Sequence, residues 1–165
     1  VLGDSAFAAA CRNAGYRVRV MLHPNMRTAL PELGLDTSVE VIPSNMSYRD
    51  VFASSGLLVT DYSSVAFDMA YLHKPVLYYQ FDREDFFSRQ YEKGYFDWER
   101  DGFGEVETTP DALKARVLEY LESGCQMKPK YVERVEKFFD FTDKNNCKRV
   151  YEAILEAARE DALEK

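Results

Sequence analysis

The segment Leu57–Asp82, LLVTDYSSVAFDMAYLHKPVLYYQFD, constrains the fold more than any other part of the chain. An apolar run, Leu57–Val59, reads as a buried strand and ends in the polar cluster Thr60, Asp61, Tyr62, Ser63 and Ser64. Val65, Met69 and Leu72 follow at helical spacing. Pro75 then opens a second run, Val76–Phe81, rich in β-branched and aromatic residues. Strand, polar turn, helix and strand within about 26 residues is the length of a βαβ unit. Its polar turn lies at a helix N-terminus, beyond the carboxyl end of a strand. Unpaired backbone N–H groups and the positive end of the helix dipole can bind an anion there. Ser63 and Ser64 stand in that turn, and their hydroxyls can donate to phosphate oxygens, so the segment suggests a phosphate or nucleotide site. A plainer reading fits the same residues: Asp61 or Ser63 caps the first-turn amides and no ligand is involved.

A second motif lies upstream. In Val18–Pro24, VRVMLHP, Arg17 and Arg19 alternate with Val18 and Val20 before Met21, Leu22 and His23-Pro24. This fits a strand, Val18–Leu22, ending where Pro24 blocks its continuation and holds His23 extended. Ligands of α/β sheets bind at such strand exits. A neutral His23 imidazole can take a proton, and an imidazolium can pair with a diphosphate. A loop histidine with no ligand is the alternative.

The remaining pattern alternates helices with strands. The sequence predicts helices over Ala6–Ala14 (stopped by Gly15), Met26–Leu33 (interrupted by Pro31), Tyr48–Ser54, Asp111–Leu121, Tyr131–Phe139 and Lys148–Ala158. It predicts further strands over Val39–Ile42 and Glu105–Glu107, and an irregular aromatic segment after Phe81. The fold class is α/β, a Rossmann-like parallel sheet flanked by helices, in a single domain over residues 1–165. The Tyr78–Phe81 run either lines a pocket or is a buried strand with one face toward ligand. Asn145 and Asn146 are expected to cap the last helix.

Composition excludes several function classes. Net charge is −7, against non-specific nucleic-acid binding, though local donors can still hold a diphosphate. No apolar stretch approaches the ~20 residues that span a bilayer. Cys11, Cys125 and Cys147 are widely spaced and form neither a zinc motif nor a disulfide framework. Asp97, Glu99 and Asp101 lie close together around Arg100 and read as a solvated loop rather than a metal site.

The two motifs, LHPN around His23 and VTDYSSVAFDMAYLHKPVLYYQFD from Val59, resemble the CDP-glycerol glycerophosphotransferase family of teichoic acid primases and polymerases. The likeness continues through Tyr91–Val106, YEKGYFDWERDGFGEV, into Pro110–Leu113, and more loosely over Phe138–Ile154. The DYSS-x-x-x-D block followed by KP and an aromatic strand is its specific part. Bacterial polysialyltransferases and capsule polymerases share a related histidine-proline and serine pair.

The resemblance implies one half of a GT-B glycosyltransferase fold, the C-terminal, nucleotide-donor-binding half of a longer bacterial enzyme. His23 would contact the donor diphosphate and assist the leaving group, and Ser63 and Ser64 would bind the phosphates. Asp61, Pro24 and Asp68 would orient the loop and helix, Arg149 would return toward the nucleotide, and the stretch from Phe81 to Phe103 would wall the nucleoside or acceptor. The implied partners are CDP-glycerol, a lipid-linked polyol-phosphate acceptor and an N-terminal domain of the same enzyme, with no cofactor, metal or nucleic acid. The implied location is the cytoplasm, on the inner face of the plasma membrane. The family's second catalytic histidine has no counterpart, since His73 reads as a helix-end residue. With Val1 and no Met at its start, the chain is expected to be a C-terminal piece without turnover of its own. The expected activity is transfer of glycerol phosphate with release of CMP. The alternatives are a donor domain for another nucleotide sugar, or a non-catalytic Rossmann-like partner domain.

Overall fold

The computed structural model describes residues 1–89 and 94–163. Residues 90–93, which include the start of the YEKGYFDWERDGFGEV stretch, and residues 164–165 lie outside the described residues. Helix α1 (Ser5–Asn13) begins where Asp4 accepts from the Phe7 N–H at 3.0 Å and ends before Gly15, at φ +85°. Strand β1 (Arg19–Val20) pairs in parallel with β2 (Glu40–Val41). Between them Pro24–Leu33 winds as a 3₁₀ helix closed by Gly34 at φ +54°. Pro31 removes an amide donor inside that run, and the short helix predicted over Met26–Leu33 takes the tighter 3₁₀ form.

Helix α2 (Tyr48–Ser54) leads to the central units: β3 (Leu58–Thr60), α3 (Val65–Tyr71), β4 (Val76–Tyr79), α4 (Arg83–Arg89) and β5 (Gly104–Glu107). Helices α5 (Pro110–Glu122), α6 (Pro129–Phe138) and α7 (Asn146–Leu163) complete the chain. β4 lies between β3 and β5 and is parallel to both, with Thr60 opposite Tyr78 and Val76 opposite Gly104.

The two-residue alternation of β4 sets the layers. Leu77 packs in a cluster with Phe7 and Cys11 of α1 and with Leu113, Val117 and Tyr120 of α5. Val76 and Tyr78 point the other way, into Val51 and Phe52 of α2 and Ala66 and Met69 of α3. The sheet is therefore covered on both faces, as a parallel sheet requires. A third cluster, Ala70, Phe103 and Val135, fixes α6 against α3.

Two expectations change. Val59 is 42% exposed, and Leu58 and Thr60 are only half-buried, because β3 lies at the edge of its sheet; the predicted buried strand is an edge strand. The segment after Phe81 is helical, not irregular. The Phe86 N–H bonds the Asp82 carbonyl at 2.9 Å, Glu84 and Asp85 occupy the first turn, and Phe86 and Phe87 pack on the Tyr62 ring. Those ring contacts come from another element, so local sequence could not announce them.

Lys74 ties the central unit to α2. Its Nζ donates to the carbonyls of Phe52 (2.6 Å), Ala53 (2.9 Å) and Ser55 (2.8 Å), satisfying the α2 C-terminus with a cation. Lys74→Met keeps the stem but strands these carbonyls. It is expected to cost about 2 kcal/mol and lower the melting temperature by roughly 4–8 °C. A melt within 1 °C of wild type would show that water replaces the ammonium there without loss.

Candidate donor site at the serine turn and the His23 strand exit

The serine turn is held from within. The Asp61 Oδ1 accepts from the Ser63 N–H at 3.0 Å, closing an Asx turn directly after β3. The Ser63 hydroxyl lies 3.5 Å from the Val65 N, at the limit of a hydrogen bond. The Ser64 side chain makes no cap bond, although Ser64 precedes the first residue of α3, and both serines are exposed. Capping falls to Asp61 and Ser63, which shape the turn, and the Ser64 hydroxyl is not used as a cap. Helix α3 has only seven residues, so its dipole adds little, and side-chain donors must supply most of the attraction for an anion.

His23 stands at the entrance of the 3₁₀ helix with extended backbone (φ −54°, ψ 141°), and Pro24 takes the first helical turn. Its Nδ1 accepts from the Asn25 N–H at 3.3 Å. That bond assigns the proton of the neutral ring to Nε2. A neutral His23 therefore presents an N–H outward. It can donate to a phosphate oxygen or a leaving group, whereas accepting a proton at Nε2 is closed to this tautomer. Of the two roles open to it in the sequence, the geometry favours the donor.

The structure distributes the other predicted residues as follows. Asp68 is exposed, adds charge to the first turn of α3, and lines an open depression of about 420 Å³ with Tyr71, Phe138, Phe141 and Asn146. Arg149 is committed: its guanidinium donates to both Asp143 carboxylate oxygens (2.7 and 2.6 Å) and to Asn146 Oδ1 (2.9 Å), and lies 3.8 Å over the Phe141 ring. The guanidinium and the Asn145 amides hold the Asp143 carboxyl well below the usual carboxylate range. The expected Asn145 cap is replaced in part, since the Asn145 side chain donates to Asp143 while its carbonyl accepts from the Arg149 N–H. His73 ends α3 in the left-handed region (φ 52°), with its N–H on the Ala70 carbonyl.

The aromatic stretch folds over the serine turn. Tyr62 stacks on Phe86 (3.6 Å between centroids, 6° between planes) and meets the Trp98 ring edge-on, while its hydroxyl donates to Asp82 at 3.1 Å. Burial, then the Asp82 hydrogen bond, pushes the Tyr62 phenol up to about 12, so it remains a donor. Phe81 is largely exposed. Asp97 and Asp101 are occupied: the Arg100 and Glu99 N–H groups bind Asp97, and the Arg100 side chain and the Asp97 N–H bring the Asp101 carboxyl down to about 2. They shape a turn, and among the described residues no group of three or more His, Cys, Asp or Glu is placed to hold a metal.

Two residues near these motifs were not singled out from the sequence. Gln80 is fully buried just past β4 with neither side-chain polar atom paired, and the Nε of Arg27 is buried and unpaired in the 3₁₀ helix that follows His23. For Gln80 the signal was present: a polar residue at an inward position of an otherwise apolar alternation. For Arg27 nothing local distinguishes it from a surface arginine.

Residues 2–156 match the family model described as CDP-Glycerol:Poly(glycerophosphate) glycerophosphotransferase. The chain is 36% identical over 156 residues to the minor teichoic acid biosynthesis protein GgaB of Bacillus subtilis, covering 94% of this chain and 17% of GgaB. It is 41% identical over 69 residues to the teichoic acid glycerol-phosphate primase of Bacillus spizizenii, 42% of this chain and 18% of the primase. The chain thus spans less than a fifth of either relative. Its fold matches the wall teichoic acid polymerase TagF with a TM-score of 0.69 at 20% identity, over the whole of this chain and 40% of TagF. On the match over residues 2–156, which takes in both His23 and the serine turn, the chain belongs to the CDP-glycerol:poly(glycerophosphate) glycerophosphotransferase family.

Proposed function

We propose that this chain is the nucleotide-donor domain of a teichoic-acid-type glycerophosphotransferase. It binds CDP-glycerol and supports transfer of glycerol phosphate to a hydroxyl of a lipid-linked polyol-phosphate polymer. The family match across residues 2–156 carries this reading. In the proposed step the acceptor oxygen attacks the β-phosphorus, and the bond from that phosphorus to the bridging oxygen of CMP breaks. The acceptor proton leaves to a base outside this domain, and CMP departs with the electron pair. Charge grows on the departing phosphate, where an Nε2–H from His23 and the Ser64 hydroxyl can donate. Donors of this kind suit an acidic chain of net charge −7, because they attract phosphate locally without a basic surface.

The acceptor, an N-terminal domain with the catalytic base, and placement at the inner face of the plasma membrane belong to the same proposal. Helix α7 supports a further domain, since Val150, Tyr151, Ile154 and Leu155 are exposed on it. Among the described residues no helix is long and apolar enough to cross a membrane.

The test is calorimetric titration with CDP-glycerol, CDP, CMP and a UDP-sugar, on wild type and Ser64→Ala. Wild type is expected to bind the cytidine diphosphates and not the UDP-sugar. Ser64→Ala, which removes no cap bond, should weaken CDP binding about three- to tenfold at an unchanged melting temperature. Unaltered CDP affinity in Ser64→Ala would remove that hydroxyl from the site, and preference for the UDP-sugar would move the donor to another nucleotide-sugar class.

A further inference from the structure

The open depression of about 420 Å³ beside α3 is lined by two kinds of group. Phe67 and Tyr71 of α3, Phe138 at the end of α6 and Phe141 beyond it supply aromatic surface, and Asp68 and Asp140 supply carboxylates. The rings are fixed by one another: the centroids of Phe67 and Phe138 are 5.3 Å apart, and Tyr71 meets Phe139 edge-on at 5.2 Å. Both carboxylates are exposed, and among the described residues neither has a hydrogen-bond or ion-pair partner. Asp140 lies two residues beyond the end of α6, where the free carbonyls of a helix already make the potential negative. Among the described residues no lysine or arginine lines the depression. Carboxylates, a helix C-terminus and ring faces all attract an organic cation and oppose an anion. The adjoining turn shows the same chemistry within the chain. The Arg149 guanidinium lies 3.8 Å over the Phe141 ring and is held by both Asp143 oxygens, so Arg149 is neutralised and does not oppose a second cation.

The apolar surface continues past the depression. Phe138 and Phe141 are exposed at its rim, and Asn146, which also lines it, opens α7, where Val150, Tyr151 and Ile154 are exposed. A free amine would fill the depression and leave α7 bare, whereas a polypeptide covers both. We infer that this face docks another polypeptide, which seats an arginine side chain in the depression and lays its apolar neighbours against α7. A guanidinium suits the site better than an ammonium, because its plane stacks on a ring while its edge pairs with a carboxylate. The inference goes beyond the donor-domain reading and does not rest on it, since neither His23 nor Ser63 nor Ser64 lines the depression.

The experiment follows backbone amide shifts of the ¹⁵N-labelled chain during titration with three probes. These are the capped peptide acetyl-Leu-Arg-Leu-amide, its neutral counterpart with citrulline in place of arginine, and tetramethylammonium chloride. The arginine peptide is expected to bind saturably, moving the amides of Tyr71, Phe138 and Phe141 together with those of Val150 and Tyr151. The citrulline peptide should bind about fivefold or more weakly. Asp68→Asn and Asp140→Asn replace exposed carboxylates without native partners, so each variant should fold as wild type does, checked by thermal melting. Each should weaken the arginine peptide about two- to fivefold. Equal binding of the citrulline peptide overturns the inference, because the site then reads apolar contact and not charge. Absence of a saturable shift at these residues overturns it as well. Tetramethylammonium that binds as tightly as the arginine peptide overturns the polypeptide partner and makes the depression a site for a free organic cation. None of these outcomes bears on CDP binding, which tests the donor-domain reading separately.

Discussion

Gly104→Ala is expected to remove a large share of the stability of this domain. Gly104 opens β5 opposite Val76 of β4, and both residues are buried. A Cβ at Gly104 would overlap the Val76 carbonyl oxygen and lie 2.6 Å from its carbon. Backbone is on the other side of that clash, so no side chain can rotate away. Relief requires β5 to move off β4, which breaks the ladder from Val76–Gly104 to Tyr79–Glu107. It also disturbs Phe103, whose N–H bonds the Tyr78 hydroxyl and whose ring fills the third core cluster. A loss of about 4 kcal/mol or more is expected for a clash of this kind, against a total of roughly 5–15 kcal/mol for a domain. The variant should melt about 8–16 °C lower or fail to show a cooperative transition. Gly94→Ala is the control, because a Cβ there meets nothing within 4 Å. A Gly104→Ala melt within 2 °C of Gly94→Ala would mean that β5 can shift freely, contrary to the ladder seen here.

The other large effect is on turnover. In the longer enzyme proposed above, His23→Ala should lower the transfer rate by about 10²–10⁴-fold, the usual contribution of a positioned proton donor. His23 also serves as the cap of the 3₁₀ helix, so loss of activity in the alanine variant alone has two explanations. His23→Asn separates them. Asparagine is a good cap, and its Oδ1 can accept from the Asn25 N–H in place of the imidazole Nδ1. The asparagine variant should keep the wild-type melting temperature and lose the same activity as alanine. If asparagine restores the rate, His23 acts through loop geometry and the leaving group finds its donor elsewhere.

Legibility in the sequence followed the range of the forces involved. Helix α2 was predicted over the observed Tyr48–Ser54, because its inward pair, Val51 and Phe52, is a local signal; the Ser47 cap is seen only in the structure. The Leu57–Asp82 unit was legible for the same reason: apolar period, turn chemistry and the proline before the second strand all lie within one segment. Strand ends were overestimated at β1, β2 and β4, where the apolar pattern runs on past the last ladder bond. Helix α4 was missed because its stability comes from the Tyr62 and Trp98 rings, which belong to other elements.

The sequence by itself determined the α/β class, the serine turn at the head of α3 and the histidine at a strand exit, since each follows from residue type and spacing over a few neighbours. Only the tertiary structure decided which atoms in those motifs remain available. Asp61 and Ser63 are used by the turn and Ser64 is not; Asn25 takes the Nδ1 of His23; Asp143 takes the guanidinium of Arg149; and Gln80 is buried just past β4 without a side-chain partner. Hydrogen-bond capacity is divided by three-dimensional proximity, and no spacing rule along the chain can report that division.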